Sequence, residues 1–259
     1  MAKKPVLSVF LILMEAISPG LAMAEKKATS TQSITKASIK IAGNSAAERR
    51  VIFIHGSPGS KEAYDDYLGH PALQHLELVS VDRPGFGESG LPVETSIQKQ
   101  AEALIGLVHT GKETWVVGHS LGGPIALQLA LLAPDSVSGL LLIASAFDPK
   151  LESPKWYNYI TDTLLANFVL PDDLLKSNRE MMVLDKELEK LAAQNWSVLK
   201  MPVILVHGAE DDLANPGNSR YAKAKLPSAE LMMMPGEGHF ILWENVPLLV
   251  DQIKTLVSK

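Results

Sequence analysis

The sequence contains no cysteine. Disulfides are thereby excluded, together with thiolate metal sites and thiol nucleophiles, so a hydrophobic core must hold the fold by itself. Positive charge is not in excess either: the formal net charge is −5. A mildly acidic chain is a poor match for nucleic acid or an anionic membrane as its main partner. The apolar run near the start, Val6 to Met14, stops before Glu15 and Pro19. It falls short of the roughly twenty residues that a membrane-crossing helix needs.

What is present at that end has the pattern of an export signal. Lys3 and Lys4 give a basic start, the apolar run follows, and Ala22-Met23-Ala24 places small residues at both specificity positions before Glu25. Residues 1–24 are therefore expected to be a cleaved signal peptide, residues 25–37 a flexible lead-in, and the mature protein secreted or periplasmic with no stable membrane span. The competing expectation is an uncleaved amphipathic anchor. Cleavage would remove Lys3, Lys4 and Glu15 and move the formal charge from −5 to −6. The 259 residues, 46% of them hydrophobic, suffice for one large core and fall short of a clear second one.

Past the lead-in, short apolar runs alternate with helical spacing. Ser38 to Ala42 alternates like a strand with one wet face, and it is the one clear strand before Val51. Val51–Ile54, Leu78–Val81, Trp115–Val117, Leu140–Ala144, Val203–Val206 and Ala229–Met234 read as buried strands. Between them, Ser96 to Thr110, Pro124 to Leu132 and a final stretch from Val246 have helical periodicity. Such alternation predicts an α/β fold with a mostly parallel sheet. The stretch from about 147 to 201 has no strand candidate, only helical patterns carrying Trp156, Tyr157, Tyr159, Phe168 and Trp196, with a helical pattern over Asn178–Leu191. So long a connection is expected to be a lid or binding element.

The chemistry is concentrated where Trp115-Val116-Val117 runs into Gly118-His119-Ser120-Leu121-Gly122-Gly123. Strand, Gly-x-Ser-x-Gly turn and helix together describe a nucleophile elbow, with Ser120 held on a strained turn and the helix N-terminus aimed at the same point. A serine hydroxyl needs an imidazole to take its proton and a carboxylate to orient that imidazole. His239, after the last strand, fits the base. Asp211, after the strand before it, fits the acid, with Asp212, Glu210 and Asp148 as alternatives. The oxyanion donors are expected to be the backbone N–H groups of Leu121 and of Ser57, in the loop His55-Gly56-Ser57-Pro58-Gly59. His55 reads as a pin for that loop and His119 as a packing residue with local hydrogen bonds.

The set His55-Gly56-x-Pro58-Gly59, Asp82-Arg83-Pro84-Gly85-x-Gly87-x-Ser89, Gly118-x-Ser120-x-Gly122, Gly208-x-x-Asp211 and Gly238-His239 resembles the α/β-hydrolase superfamily. It is most similar to the cofactor-independent esterases and carbon–carbon bond hydrolases that carry a helical cap after the sixth strand. The resemblance covers roughly residues 38–259 and implies a mostly parallel sheet of about seven or eight strands with helices on both faces. It also implies a cap at about 147–201, and the triad and oxyanion roles just given. That family usually opens with a two-stranded hairpin, from which this chain departs.

Other signals fail on context. Gly85-Phe86-Gly87-Glu88-Ser89-Gly90 matches a dinucleotide fingerprint, but Pro92 separates it from the next helix. Gly56 to Lys61 lacks the spacing of a phosphate loop, and His70, His75 and His109 have no zinc-ligand arrangement. Neither cofactor nor metal is expected. The expected partner is a small molecule, an apolar carboxylic ester of small to medium size. Trp156, Tyr159, Phe240 and Trp243 are the expected substrate-binding side chains. Carbon–carbon bond cleavage, lactone, amide or peptide hydrolysis are alternatives on the same triad, and a non-catalytic ligand-binding protein is the alternative from another class.

Overall fold

The computed structural model describes residues 38–163 and 166–259. The expected signal segment, 1–24, and lead-in, 25–37, lie outside the described residues.

Seven strands form a single sheet: β1 (Ile39–Gly43), β2 (Arg49–Ile54), β3 (Glu77–Val81), β4 (Glu113–His119), β5 (Gly139–Ile143), β6 (Val203–Gly208) and β7 (Glu230–Met234). Their order is β1-β3-β2-β4-β5-β6-β7, with β1 antiparallel to β3 and every other pair parallel. Side chains alternate across a strand, so continuous apolar runs supply two cores at once. Ile52, Ile54, Val79, Val116, Leu140, Leu142 and Leu205 face one way. Val51, Phe53, Leu78, Val117, Leu141, Ile143, Ile204 and Val206 face the other.

On the first face lie α2 (Ile97–Leu104) and α3 (Gly122–Leu132). On the second lie α1 (Asp65–Leu68), α9 (Ile241–Glu244) and α10 (Val246–Val257), with Tyr64 and Tyr67 filling the space near Phe53. The helix α8 (Gly217–Lys225) connects β6 to β7.

Between β5 and β6 the described chain is helical only: α4 (Trp156–Thr161), α5 (Ala166–Val169), α6 (Asp172–Met181), α7 (Leu184–Ala192) and a short 3-10 turn at Trp196–Val198. The single helical pattern over Asn178–Leu191 is broken at Met182–Val183, where Val183 leaves helical geometry at φ −126°. The break lets the two halves serve different neighbours. α6 packs with α4 and α5, whereas α7 packs on α2 and α3 and buries Leu184, Leu188 and Leu191 in the first core.

The winding reverses between β2 and β4. From β2 the chain goes outward to β3 on one side, and the later strands add on the other. In open α/β sheets such a switch leaves a crevice at the carboxyl ends of the strands.

Candidate active site

The loops after β2 and β4, on either side of that crevice, carry Ser57 and Ser120. Ser120 has φ +53°, a left-handed backbone that a side-chain-bearing residue rarely adopts. The turn is locked by close approach: a Cβ on Gly118 would meet Gly122 O at 2.4 Å, and one on Gly122 would meet Ile54 O at 2.1 Å. The Ser120 N–H donates to Ile143 O at 2.9 Å, which fixes the elbow to β5.

Three predicted residues come together there. His239 Nε2 lies 3.2 Å from Ser120 Oγ, and His239 Nδ1 lies 2.8 Å from Asp211 Oδ2. With Nδ1–H donating to the carboxylate, Nε2 is left as an acceptor for the serine hydroxyl. Of the alternative acids, Asp212 and Glu210 are exposed, and Asp148 accepts from the backbone N–H of Lys150.

Asp211 is further held by donors that the sequence did not reveal. Its Oδ1 accepts from the N–H groups of Leu213 and Ala214 at 2.9 and 2.8 Å. Buried His207 shares its Nε2–H between Ala214 O, at 2.9 Å, and Asp211 Oδ2, at 3.2 Å. Burial alone would raise this carboxyl's pKa. The hydrogen bonds from His207 and His239 outweigh it and hold Asp211 well below the ordinary carboxylate range.

His119 is buried directly beneath His239. Its Nε2–H donates to the His239 carbonyl at 3.1 Å, and the two rings lie 5.0 Å apart. Burial, reinforced by the neighbouring His239, lowers its pKa to about 3. It is therefore neutral at ordinary pH and serves as the packing and hydrogen-bonding residue that its place in the elbow suggested. Trp243 packs edge-on against His119 at 5.2 Å, and Phe240 lies 6.0 Å from both His239 and Trp243.

The N–H groups of Ser57 and Leu121 have no hydrogen-bond partner among the described residues. Trp156 and Tyr159 lie on α4 and are 73% and 58% exposed. Trp156 has a ring contact with Tyr157, and neither Trp156 nor Tyr159 has one with His239 or Phe240 among the described residues. Trp196, by contrast, is buried against Phe147 and Tyr221. Among the described residues no three His, Asp or Glu side chains are grouped to hold a metal ion. No helix among them is long and apolar enough to cross a membrane.

The sequence pattern gave no sign of a buried polar network beside the loop after β2, made of Arg83, Gln100 and Glu180 from α6. Arg83 and Glu180 are 0% and 2% exposed and pair at 2.6 Å.

A mostly parallel sheet with the winding switch at a strained serine elbow is the architecture of the α/β-hydrolase class. The profile of the alpha/beta hydrolase family matches residues 51–251, and the chain belongs to that family. It is 26% identical over 258 residues to Lipase 1 of Psychrobacter immobilis, covering 83% of this chain and 78% of that one. It is likewise 26% identical over 241 residues to the dihydrolipoyllysine-residue acetyltransferase component of the acetoin cleaving system of Pseudomonas putida. That match covers 81% of this chain and spans 63% of the relative's length. Among solved structures, the monoacylglycerol lipase of Paleococcus ferrophilus superposes with a TM-score of 0.66, 21% identity, and coverage of 85% of this chain and 98% of that one. At that identity the likeness speaks for the fold.

Proposed function

We propose that this hydrolase cleaves small to medium, mainly apolar carboxylic esters through an acyl-enzyme on Ser120. The observation that carries the reading is the continuous relay from Ser120 Oγ to His239 Nε2 and from His239 Nδ1 to Asp211 Oδ2. Ser120 Oγ attacks the ester carbonyl carbon while its proton passes to His239 Nε2, and Asp211 stabilises the resulting imidazolium. The negative charge on the former carbonyl oxygen is met by the N–H groups of Ser57 and Leu121. Collapse expels the alcohol, which takes the proton from His239, and a water activated by the same imidazole then releases the acid.

The substrate class rests on Phe240 and Trp243 beside the base, which favour an apolar acyl or alcohol group. The names of two relatives, Lipase 1 and a monoacylglycerol lipase, point to ester bonds. A panel of p-nitrophenyl esters of increasing acyl length tests it. Turnover should be measurable and peak within the panel, and Phe240→Ala should shift that peak. Absence of turnover on every member would refute the ester reading.

A further inference from the structure

Arg83 sits at the carboxyl end of β3 with every guanidinium nitrogen occupied. Its Nε donates to His55 O at 3.0 Å and its Nη2 to Gly56 O at 2.8 Å. Its Nη1 donates to Gln100 Oε1 and Glu180 Oε1, both at 2.6 Å. Glu180 also accepts from Nη2 at 3.2 Å, from Gln100 Nε2 at 3.0 Å and, through Oε2, from the Ser57 hydroxyl. A cap carboxylate thus holds both the guanidinium that grips the loop's carbonyls and the loop's own serine side chain.

The consequence follows from peptide geometry. The Gly56–Ser57 peptide is trans, and in a planar trans peptide the C=O and the following N–H point in opposite directions. Gly56 O accepts from both Arg83 Nη2 and His55 Nδ1, the latter at 2.7 Å. Pinning that oxygen turns the Ser57 N–H away from Arg83. The other side of Gly56 is packed on the elbow, since a Cβ there would meet Ser120 Cβ at 2.9 Å.

We infer that Glu180 of the cap is a positioning residue for the oxyanion hole: through Arg83 and the Ser57 hydroxyl it fixes the peptide whose N–H receives the developing charge. The inference rests on the acyl-enzyme reading above. It makes the helical insertion part of the catalytic preorganisation. It also predicts a role for the Ser57 side chain, which the backbone donor alone does not require.

The test uses the full chain with Glu180→Gln, Ser57→Ala and Ser57→Thr. Active sites are counted with diethyl p-nitrophenyl phosphate. Then kcat per counted site, KM, and inhibition by an alkyl trifluoromethyl ketone are measured. That ketone accepts Ser120 Oγ at its carbonyl carbon, passes the serine proton to His239 and leaves an oxyanion in the hole. Losing a whole oxyanion donor costs about 10²–10³-fold, and a donor loosened from its place should lose part of that. Ser57→Ala should lower kcat per site and weaken the ketone by about tenfold each, with KM nearly unmoved. Ser57→Thr, which keeps the hydroxyl, should restore both. Glu180→Gln should exceed Ser57→Ala in both effects, and if that variant does not fold, the Ser57 pair decides. Turnover per site and ketone affinity unchanged in the variants, with only the number of counted sites reduced, would mean a purely structural network and overturn the inference. A parent that is not labelled at all would instead overturn the acyl-enzyme reading.

Discussion

Asp211 draws its value from the number of donors around one carboxylate. Two histidines and two backbone N–H groups converge on it, so it stays ionised, as the proposed mechanism requires of the group that orients His239. An amide in its place could keep most of the shape, but it would turn an N–H toward one of those donors and favour the wrong imidazole tautomer. Asp211→Asn should therefore leave the protein folded and cut kcat by about 10³–10⁴-fold. Asp212→Asn, on an exposed neighbour, should leave turnover nearly unchanged. The reverse ranking in a steady-state ester assay would remove Asp211 from the mechanism. At this scale the sequence was informative where a residue type and a strand end coincide, as for Ser120, Asp211 and His239. It was silent on His207. That residue follows the apolar run Val203–Val206, and only the fold brings its Nε2 to the Asp211 carboxylate.

Among elements, the elbow after β4 and the loop after β7 are tied by His119, whose Nε2–H holds the His239 carbonyl. This tie has a pH signature. Folding lowers the pKa of His119 from 6.5 to about 3, so between those values the unfolded chain binds a proton that the native state refuses. Stability from this group is present above about 6.5 and is lost as pH falls, by about 1.4 kcal/mol per unit for one proton. Between pH 7 and pH 5 the parent should lose about 2 kcal/mol through His119, and His119→Gln should lose correspondingly less. Urea denaturation at the two pH values checks this, and an equal loss in both proteins would contradict it. The cap was legible as a helical insertion because a long stretch without strand patterning is itself a signal. Its tether was not: Glu180 and Arg83 lie 97 residues apart, and a buried carboxylate carries no periodic signature. Removing the carboxylate alone would leave a buried guanidinium unpaired, a change that typically costs about 3–5 kcal/mol.

For the whole molecule, the sheet decides where chemistry is located. Residues distant in sequence meet because β2, β4, β6 and β7 all run parallel and deliver their carboxyl ends to one edge. The strands were readable because burial on both faces forces uninterrupted apolar runs such as Val51–Ile54 and Val203–Val206. Strand order was not readable from those runs, since a two-faced apolar strand looks alike at every central position. The antiparallel pairing of β1 with β3 likewise comes from the chain path rather than from composition. The most direct measurement of the central claim is covalent labelling of the full chain with a fluorophosphonate, followed by peptide mass mapping and a stopped-flow p-nitrophenyl ester burst. One adduct on the peptide carrying Ser120 is expected, with a burst equal to the labelled fraction and both lost in Ser120→Ala. Turnover that persists in Ser120→Ala, or an adduct on any other residue, would contradict the account.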